Sequence, residues 1–241
     1  MLSGYPMWYT LTAGAGVCIS AAVWAWMIRR GVGGKRTDPR LALLYGSALV
    51  GAILGAKLSF LAAEGWTGHL TLAGLVTGKS ITGALLCGYG AVEWAKRYLG
   101  YKSTTGDLFA LIVPIGIGIG RVGCILQGCC NGVVCDSRAI LAVSHVENGQ
   151  VVARWPAAQV ELAFQAAFLV WAFVATIRGW CRTNRFHVYL ITYGAFRFGH
   201  EFMRDDARVA GSWTVYHAFA AAIFALGCWG YWRRSHAAVL A

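Results

Sequence analysis

Seven stretches of about 20 mostly apolar residues follow one another along the chain. They lie near residues 8–28, 41–63, 70–94, 106–127, 157–177, 186–204 and 213–232. A helix of that length crosses the hydrocarbon core of a bilayer. Hydrocarbon offers the backbone no partners, so only helices or closed barrels cross it. The reading is therefore an all-α polytopic membrane protein with about seven transmembrane helices. Residues 1–241 form a single membrane-embedded domain in this reading, with no long internal linker and no repeat. Composition agrees: 58% of residues are hydrophobic and 13% are charged, against roughly 25% charged in a soluble domain. A disordered chain is excluded, and the polar residues are too few to cover an ordinary soluble enzyme.

The net charge is +11, and its distribution reports topology. Arg29, Arg30, Lys35, Arg36 and Arg40 follow the first span. Lys96, Arg97 and Lys102 follow the third, Arg178, Arg182 and Arg185 the fifth, and Arg233 and Arg234 the seventh. The alternate loops hold only Arg138, Arg154, Arg204 and Arg208. The positive-inside rule places the N-terminus outside and the C-terminus in the cytoplasm. Collars of this kind, with no basic stripe or motif, leave no nucleic-acid partner. The positive cluster follows span 1 instead of preceding it, unlike a cleavable signal peptide. Trp8, Tyr9, Trp24, Trp26, Trp229, Tyr231 and Trp232 suit interfacial belts.

Lys57, Lys79, Arg121 and Arg197 fall inside spans or at their mouths, as do Glu161 and Glu201. A central arginine costs roughly 2.5–3.5 kcal/mol on the insertion scale. Either ion pairs such as Arg197 with Glu201 one turn later or a shared polar cavity must offset that cost. Gly78, Lys79 and Ser80 interrupt the third span, and the break reads as cavity lining.

In the sixth span, Tyr193, Arg197, His200, Glu201 and Arg204 recur at spacings of three and four, a single helical stripe. In the fourth, Gly116, Gly118, Gly120, Gly123, Gly128 and Gly132 surround Arg121. Such glycines pack helices closely or admit a ligand. A forked guanidinium beside bare backbone suits phosphate oxygens. The expectation is that Arg121 and Arg197 converge on one anion near the outer leaflet, a phospholipid head group.

At these segments the chain resembles the bacterial prolipoprotein diacylglyceryl transferase family. GRVGCILQGCCNG, from Gly120 to Gly132, is similar to that family's GRxGNFxNGExxG. YGAFRFGHEFMR, from Tyr193 to Arg204, matches its YGxxRFxxEFxR. Weaker echoes are WYTL at Trp8–Leu11, GAKL at Gly55–Leu58 and Pro156 followed by Glu161. The resemblance implies transfer of a diacylglyceryl group from phosphatidylglycerol to the thiol of a lipobox cysteine in a preprolipoprotein signal peptide. That step opens lipoprotein maturation in the bacterial inner membrane, with the site toward the outer leaflet and no cofactor. It implies Arg121, Arg197 and Glu201 as catalytic residues, and His200 joins them from its place on the same helical stripe as Arg197. It implies Tyr193, Gly120, Gly123, Gln127, Gly132, Lys57 and Arg204 as substrate-binding residues.

The chain departs from the family pattern at several positions. Cys124 and Gln127 replace asparagines, Cys129 replaces a glutamate, and Val133 stands where a basic residue is common. Thr82, in SITGA, aligns with a family histidine. His200 is then the candidate base, or only a polar neighbour of Arg197, and His217 is a weaker candidate. These changes leave open a different acceptor or head group, and a non-catalytic lipid-binding or thiol-redox role. Four of the eight cysteines crowd one stretch: Cys124, Cys129, Cys130 and Cys135. They read as apolar filler, as a disulfide at the outer surface, or as a metal or redox group. The C-x4-CC-x4-C spacing lacks the usual CxxC, so the site as read includes no metal.

Overall fold

A computed structural model describes residues 7–29, 38–65, 78–147 and 149–239, with side chains from Thr10 to His236. It is mainly helical. Helix α1 spans Met7–Arg29, α2 Arg40–Glu64, α3 Ile81–Tyr98, α4 Gly106–Gln127, α5 Ala157–Arg178, α6 Arg185–Glu201 and α7 Val215–Val239. Four of them, α1, α2, α4 and α5, are long and apolar enough to cross a membrane. Each of the other three carries charged residues. α3 ends on Glu93, Lys96 and Arg97, α6 carries Arg197, His200 and Glu201, and α7 ends in Arg233, Arg234 and His236.

The chain divides into two compact units. The first holds α1, α4, α5, the intervening loops and Met203–Asp205. Gly16 of α1 faces the Gly116 carbonyl of α4, the close approach that small residues allow between membrane helices. Trp24 packs against Phe109 with the rings tilted, centroids 5.1 Å apart. Asp107, in the first turn of α4, takes hydrogen bonds from the Thr183 amide and Arg185 Nη1, both at 3.0 Å. A carboxylate there also suits the positive end of the helix.

The second unit holds α2, α3, α7 and α6 from Phe186 onward. Helices α2 and α3 meet at Gly55 and Gly83, where a Cβ on either glycine would strike the other's carbonyl. Residues 78–80, where the break is expected, are non-helical and lead into α3. Gly78 lies under the Phe60 ring, its carbonyl accepts from Lys57 Nζ at 2.9 Å, and the Ser80 amide reaches the Ala56 carbonyl at 3.0 Å. The Gly78–Ser80 segment thus packs on α2, which supplies partners to the Gly78 carbonyl and the Ser80 amide. Residues 66–77, including the start of the third apolar stretch, lie outside the described residues, as do Arg30, Lys35 and Arg36.

Two short hairpins interrupt the helices. β1 (Val143–Glu147) pairs antiparallel with β2 (Gln150–Arg154), and β3 (Arg208–Ala210) with β4 (Trp213–Thr214). The first has a sequence signal in Asn148–Gly149 between valine-rich runs. Trp24 departs from the belt expectation: it is buried, whereas Trp26, Trp229 and Trp232 are exposed. The side chains of Trp8 and Tyr9 lie outside the described residues.

Candidate active site

Within the first unit, Arg121 is buried on α4 and Glu161 is fully buried on α5. Arg121 Nη2 lies 2.7 Å from Glu161 Oε2. The pair ties two helices together and offsets the cost of each charge at membrane depth. The carboxylate takes one edge of the guanidinium fork. On the other side, Arg121 Nη1 faces Cys124 Sγ at 3.8 Å.

Helix α4 ends at Gln127, with Gly128 in the left-handed region at φ 66°. The Cys129 amide returns to the Cys124 carbonyl at 3.0 Å. Cys130 is itself left-handed at φ 60°, an uncommon conformation for a residue with a Cβ. These turns bring the sulfurs of Cys124, Cys129 and Cys130 within 4.8 Å of one another. Cys130 Sγ is 3.7 Å from Cys124 Sγ. All the cysteines carry free thiols, so the disulfide alternative is not what the structure contains. Hydrogen bonding to Cys124 and Cys129 holds the Cys130 thiol below the ordinary thiol range, aided by the Arg121 and Arg204 charges. Cys129 is raised, chiefly by hydrogen bonding to Cys124.

The expected glycines divide by environment. Gly120 has open space where a Cβ would project, and Gly123 is buried. Gly132 is wedged between the carbonyls of Trp155 and Met203, and its amide bonds Trp155 O at 3.0 Å. Its constraint is therefore backbone packing. Gln127 is exposed at the end of α4. Arg204 is not on the helical stripe, because α6 ends at Glu201; it pairs with Gly132 in an isolated bridge. Arg154 gathers this loop region. It reaches Glu147 at 2.6 Å, Asp205 at 2.9 Å and the Gly132 carbonyl at 3.0 Å. Beside that guanidinium the Glu147 carboxyl sits below its ordinary range.

Within the second unit, Arg197 Nη1 lies 2.5 Å from Glu201 Oε2, the pair one turn apart that the sequence offers. Arg197 Nη2 lies 3.9 Å from Asp206. Thr214 Oγ1 donates to Glu201 Oε1 at 2.9 Å, and the Thr214 amide donates to His217 Nδ1 at 3.1 Å. An Nδ1 that accepts leaves the proton of the neutral ring on Nε2. His217, ringed by Phe198, Phe202 and Trp213, therefore joins the Arg197 network through Thr214. His200 is buried and stacks on Phe196, with centroids 5.0 Å apart. Tyr193 is fully buried against Tyr189 at 5.5 Å. Lys57 donates a hydrogen bond to the break before α3. Thr82, at the position of the family histidine, is buried 2.7 Å from the Ser80 hydroxyl.

The residues of the two motifs thus assemble into two buried arginine–carboxylate networks, one in each unit. Sequence reading found all four charged partners and missed two features. One is the pairing of Arg121 with Glu161, which needs the α4–α5 packing. The other is the Arg154 hub, which needs the loop fold.

A helical membrane protein with buried arginine–carboxylate pairs is the class that fold and site define. A family model for prolipoprotein diacylglyceryl transferase matches residues 5–233. The chain belongs to that family. Among similar proteins, the phosphatidylglycerol–prolipoprotein diacylglyceryl transferase of Nitrosomonas europaea is 28% identical, covering 93% of this chain and 85% of its own. The protein of the same name from Bordetella avium is 26% identical over 76% of this chain and 72% of its own. That from Dechloromonas aromatica is 29% identical over 72% and 68%.

Proposed function

We propose that this chain transfers the diacylglyceryl group of phosphatidylglycerol to the acceptor thiol of a prolipoprotein, with Arg121 and Arg197 as its cationic groups. One observation carries the assignment of residues. All four charged residues of the family-like motifs pair, Arg121 with Glu161 and Arg197 with Glu201. Each carboxylate occupies part of a guanidinium and fixes its plane. A guanidinium fixed in this way suits phosphate oxygens, whose negative charge grows as the carbon–oxygen bond breaks. Glu201 and Glu161 are positioning residues for the arginines. His200, one turn from Arg197, is the candidate proton acceptor or a polar neighbour of the guanidinium. Gly120 leaves space beside Arg121, and Tyr193, Gly123, Gln127, Gly132, Lys57 and Arg204 complete the set of substrate-binding candidates.

The whole chain acts as one membrane-embedded enzyme of the bacterial inner membrane. It has seven spans, the N-terminus outside, the C-terminus in the cytoplasm and chemistry toward the outer leaflet. The loop collars of Lys and Arg support that topology, and reporter fusions at each loop test it. The activity is tested by giving the purified protein phosphatidylglycerol and a lipobox peptide. No lipidated peptide, under conditions where a Nitrosomonas europaea homologue works, overturns the reading.

A further inference from the structure

The family-like pattern leaves the acceptor thiol without an obvious base, because Thr82 replaces the histidine and is sequestered by Ser80. The same chain carries a feature that the family pattern does not explain. Two of the pattern's polar positions, at 124 and 129, have become cysteines, and a third cysteine adjoins them. The α4 terminus brings these three sulfurs within 4.8 Å of one another.

We propose that Cys124, Cys129 and Cys130 form a three-thiolate site for one thiophilic d10 cation, zinc(II), whose open fourth position takes the acceptor thiol. The inference rests on the diacylglyceryl-transfer reading for its last clause only.

Four observations support it. Metal–sulfur bonds of about 2.3 Å place tetrahedral thiolates a little under 4 Å apart, and Cys124 and Cys130 are already 3.7 Å apart. Cys130 holds a left-handed conformation at φ 60°, and such strain is found where surrounding structure or a site demands it. Cys124 is buried while Cys129 and Cys130 are partly exposed, so the group is closed on one side and open on the other. Among the described residues, no histidine, carboxylate or further cysteine joins the three. Three protein ligands and an open position are the arrangement of a catalytic zinc site, whereas structural sites are closed by four. Charge selects the ion. Three thiolates around a divalent cation leave one net negative charge, the smaller load on Arg121, whose Nη1 is 3.8 Å from Cys124 Sγ and whose charge is already shared with Glu161. Copper(I), also thiophilic, would leave two.

The chemistry balances without a redox partner. The acceptor thiol binds zinc as a thiolate, and its proton passes to bulk water. A sulfur lone pair forms the carbon–sulfur bond to the terminal glyceryl carbon of the diacylglyceryl group. The carbon–oxygen bond to phosphate breaks, and its electron pair leaves with the oxygen of glycerol phosphate. A metal deprotonates a coordinated thiol outright, which removes the need for a histidine at position 82.

The test uses the full-length protein, purified in detergent under reducing conditions, stripped of metal and titrated separately with zinc(II) and copper(I). The expected result is about one tightly bound zinc per chain, and a thiolate-to-metal charge-transfer band when cobalt(II) replaces zinc. Cys129→Ser and Cys130→Ser each weaken binding by more than the roughly 10–100-fold typical of an outer-shell change. Cys135→Ser, outside the group, leaves it intact. Tight copper(I) binding without zinc binding overturns the choice of ion, and no binding of either, or binding unaffected by the serine variants, overturns the site. Transfer to a lipobox peptide from phosphatidylglycerol vesicles is expected to vanish on stripping and return with zinc. Full activity of stripped protein, lost in His200→Gln, overturns the metal's role and leaves the transferase reading standing. Zinc bound by the three cysteines with no transfer in either state overturns the transferase reading and leaves the site.

Discussion

The two buried arginines solve one problem in different ways. Arg197 finds its carboxylate one turn away on its own helix, and Asp206 lies near its other nitrogen. Arg121 finds Glu161 on another helix, 40 positions away in sequence. An intrahelical pair forms as soon as the helix does. An interhelical pair exists only while α4 and α5 are packed. The first is a local device that orients a side chain, and the second also holds tertiary structure. The Glu201 carboxylate is further fixed by Thr214, so the local pair gains rigidity from the β3–β4 hairpin and α7.

The largest expected effect removes the cations themselves. Arg121→Ala and Arg197→Ala should each lower lipidation of a reporter prolipoprotein by about 100-fold or more, the scale for losing a preorganised transition-state donor. Neither should rescue a strain that lacks the transferase. Arg197→Lys should fail as well, since one ammonium cannot reach Glu201 and face Asp206 together; full rescue would remove the fork from the mechanism.

Next come the carboxylates, where the two pairs should separate. Glu161→Gln strands a buried guanidinium and should cost about 3–5 kcal/mol of stability. Glu201→Gln should cost less in unfolding measurements, because Asp206 stays near Arg197, while still lowering activity. Equal destabilisation by both would end the distinction between a tertiary and a local pair. Gly132→Ala should cost about 1–3 kcal/mol, by forcing apart the Trp155 and Met203 backbones, read as a lowered melting temperature in detergent.

The smallest effect is on the hairpin outside the spans. Glu147 is held below its ordinary carboxyl range by Arg154. A lowered folded-state pKa stabilises above the unfolded value and is lost as pH falls through the folded one. Amide exchange in β1–β2 should therefore quicken below the usual carboxyl range, around pH 4, and Glu147→Gln should abolish that dependence.

Much of this was legible in the chain. Helix ends at Gln127 and Arg178 follow from Gly128 and Gly179, and the i, i+4 spacing of Arg197 and Glu201 is itself the pair. The non-helical stretch at Gly78–Ser80 was legible in its residues, though its cover by Phe60 and Lys57 was not. Arg204 shows the opposite case. Its spacing continues the α6 stripe, but the helix stops at Glu201 and the residue joins Gly132 instead. Periodicity reports only what a helix would do if it continued.

The sequence by itself determined the medium, the helices and the charged residues that hydrocarbon cannot tolerate alone. Those follow from local quantities: the length of apolar runs, the cost of a charge and the fixed angle between successive side chains. Only the tertiary structure decided that Arg121 belongs to Glu161, that His217 reaches Glu201 through Thr214, and that three cysteines meet at the end of α4. Each depends on how separate segments pack or how the chain turns back. Distance in space is set there by contacts that no spacing along the chain encodes.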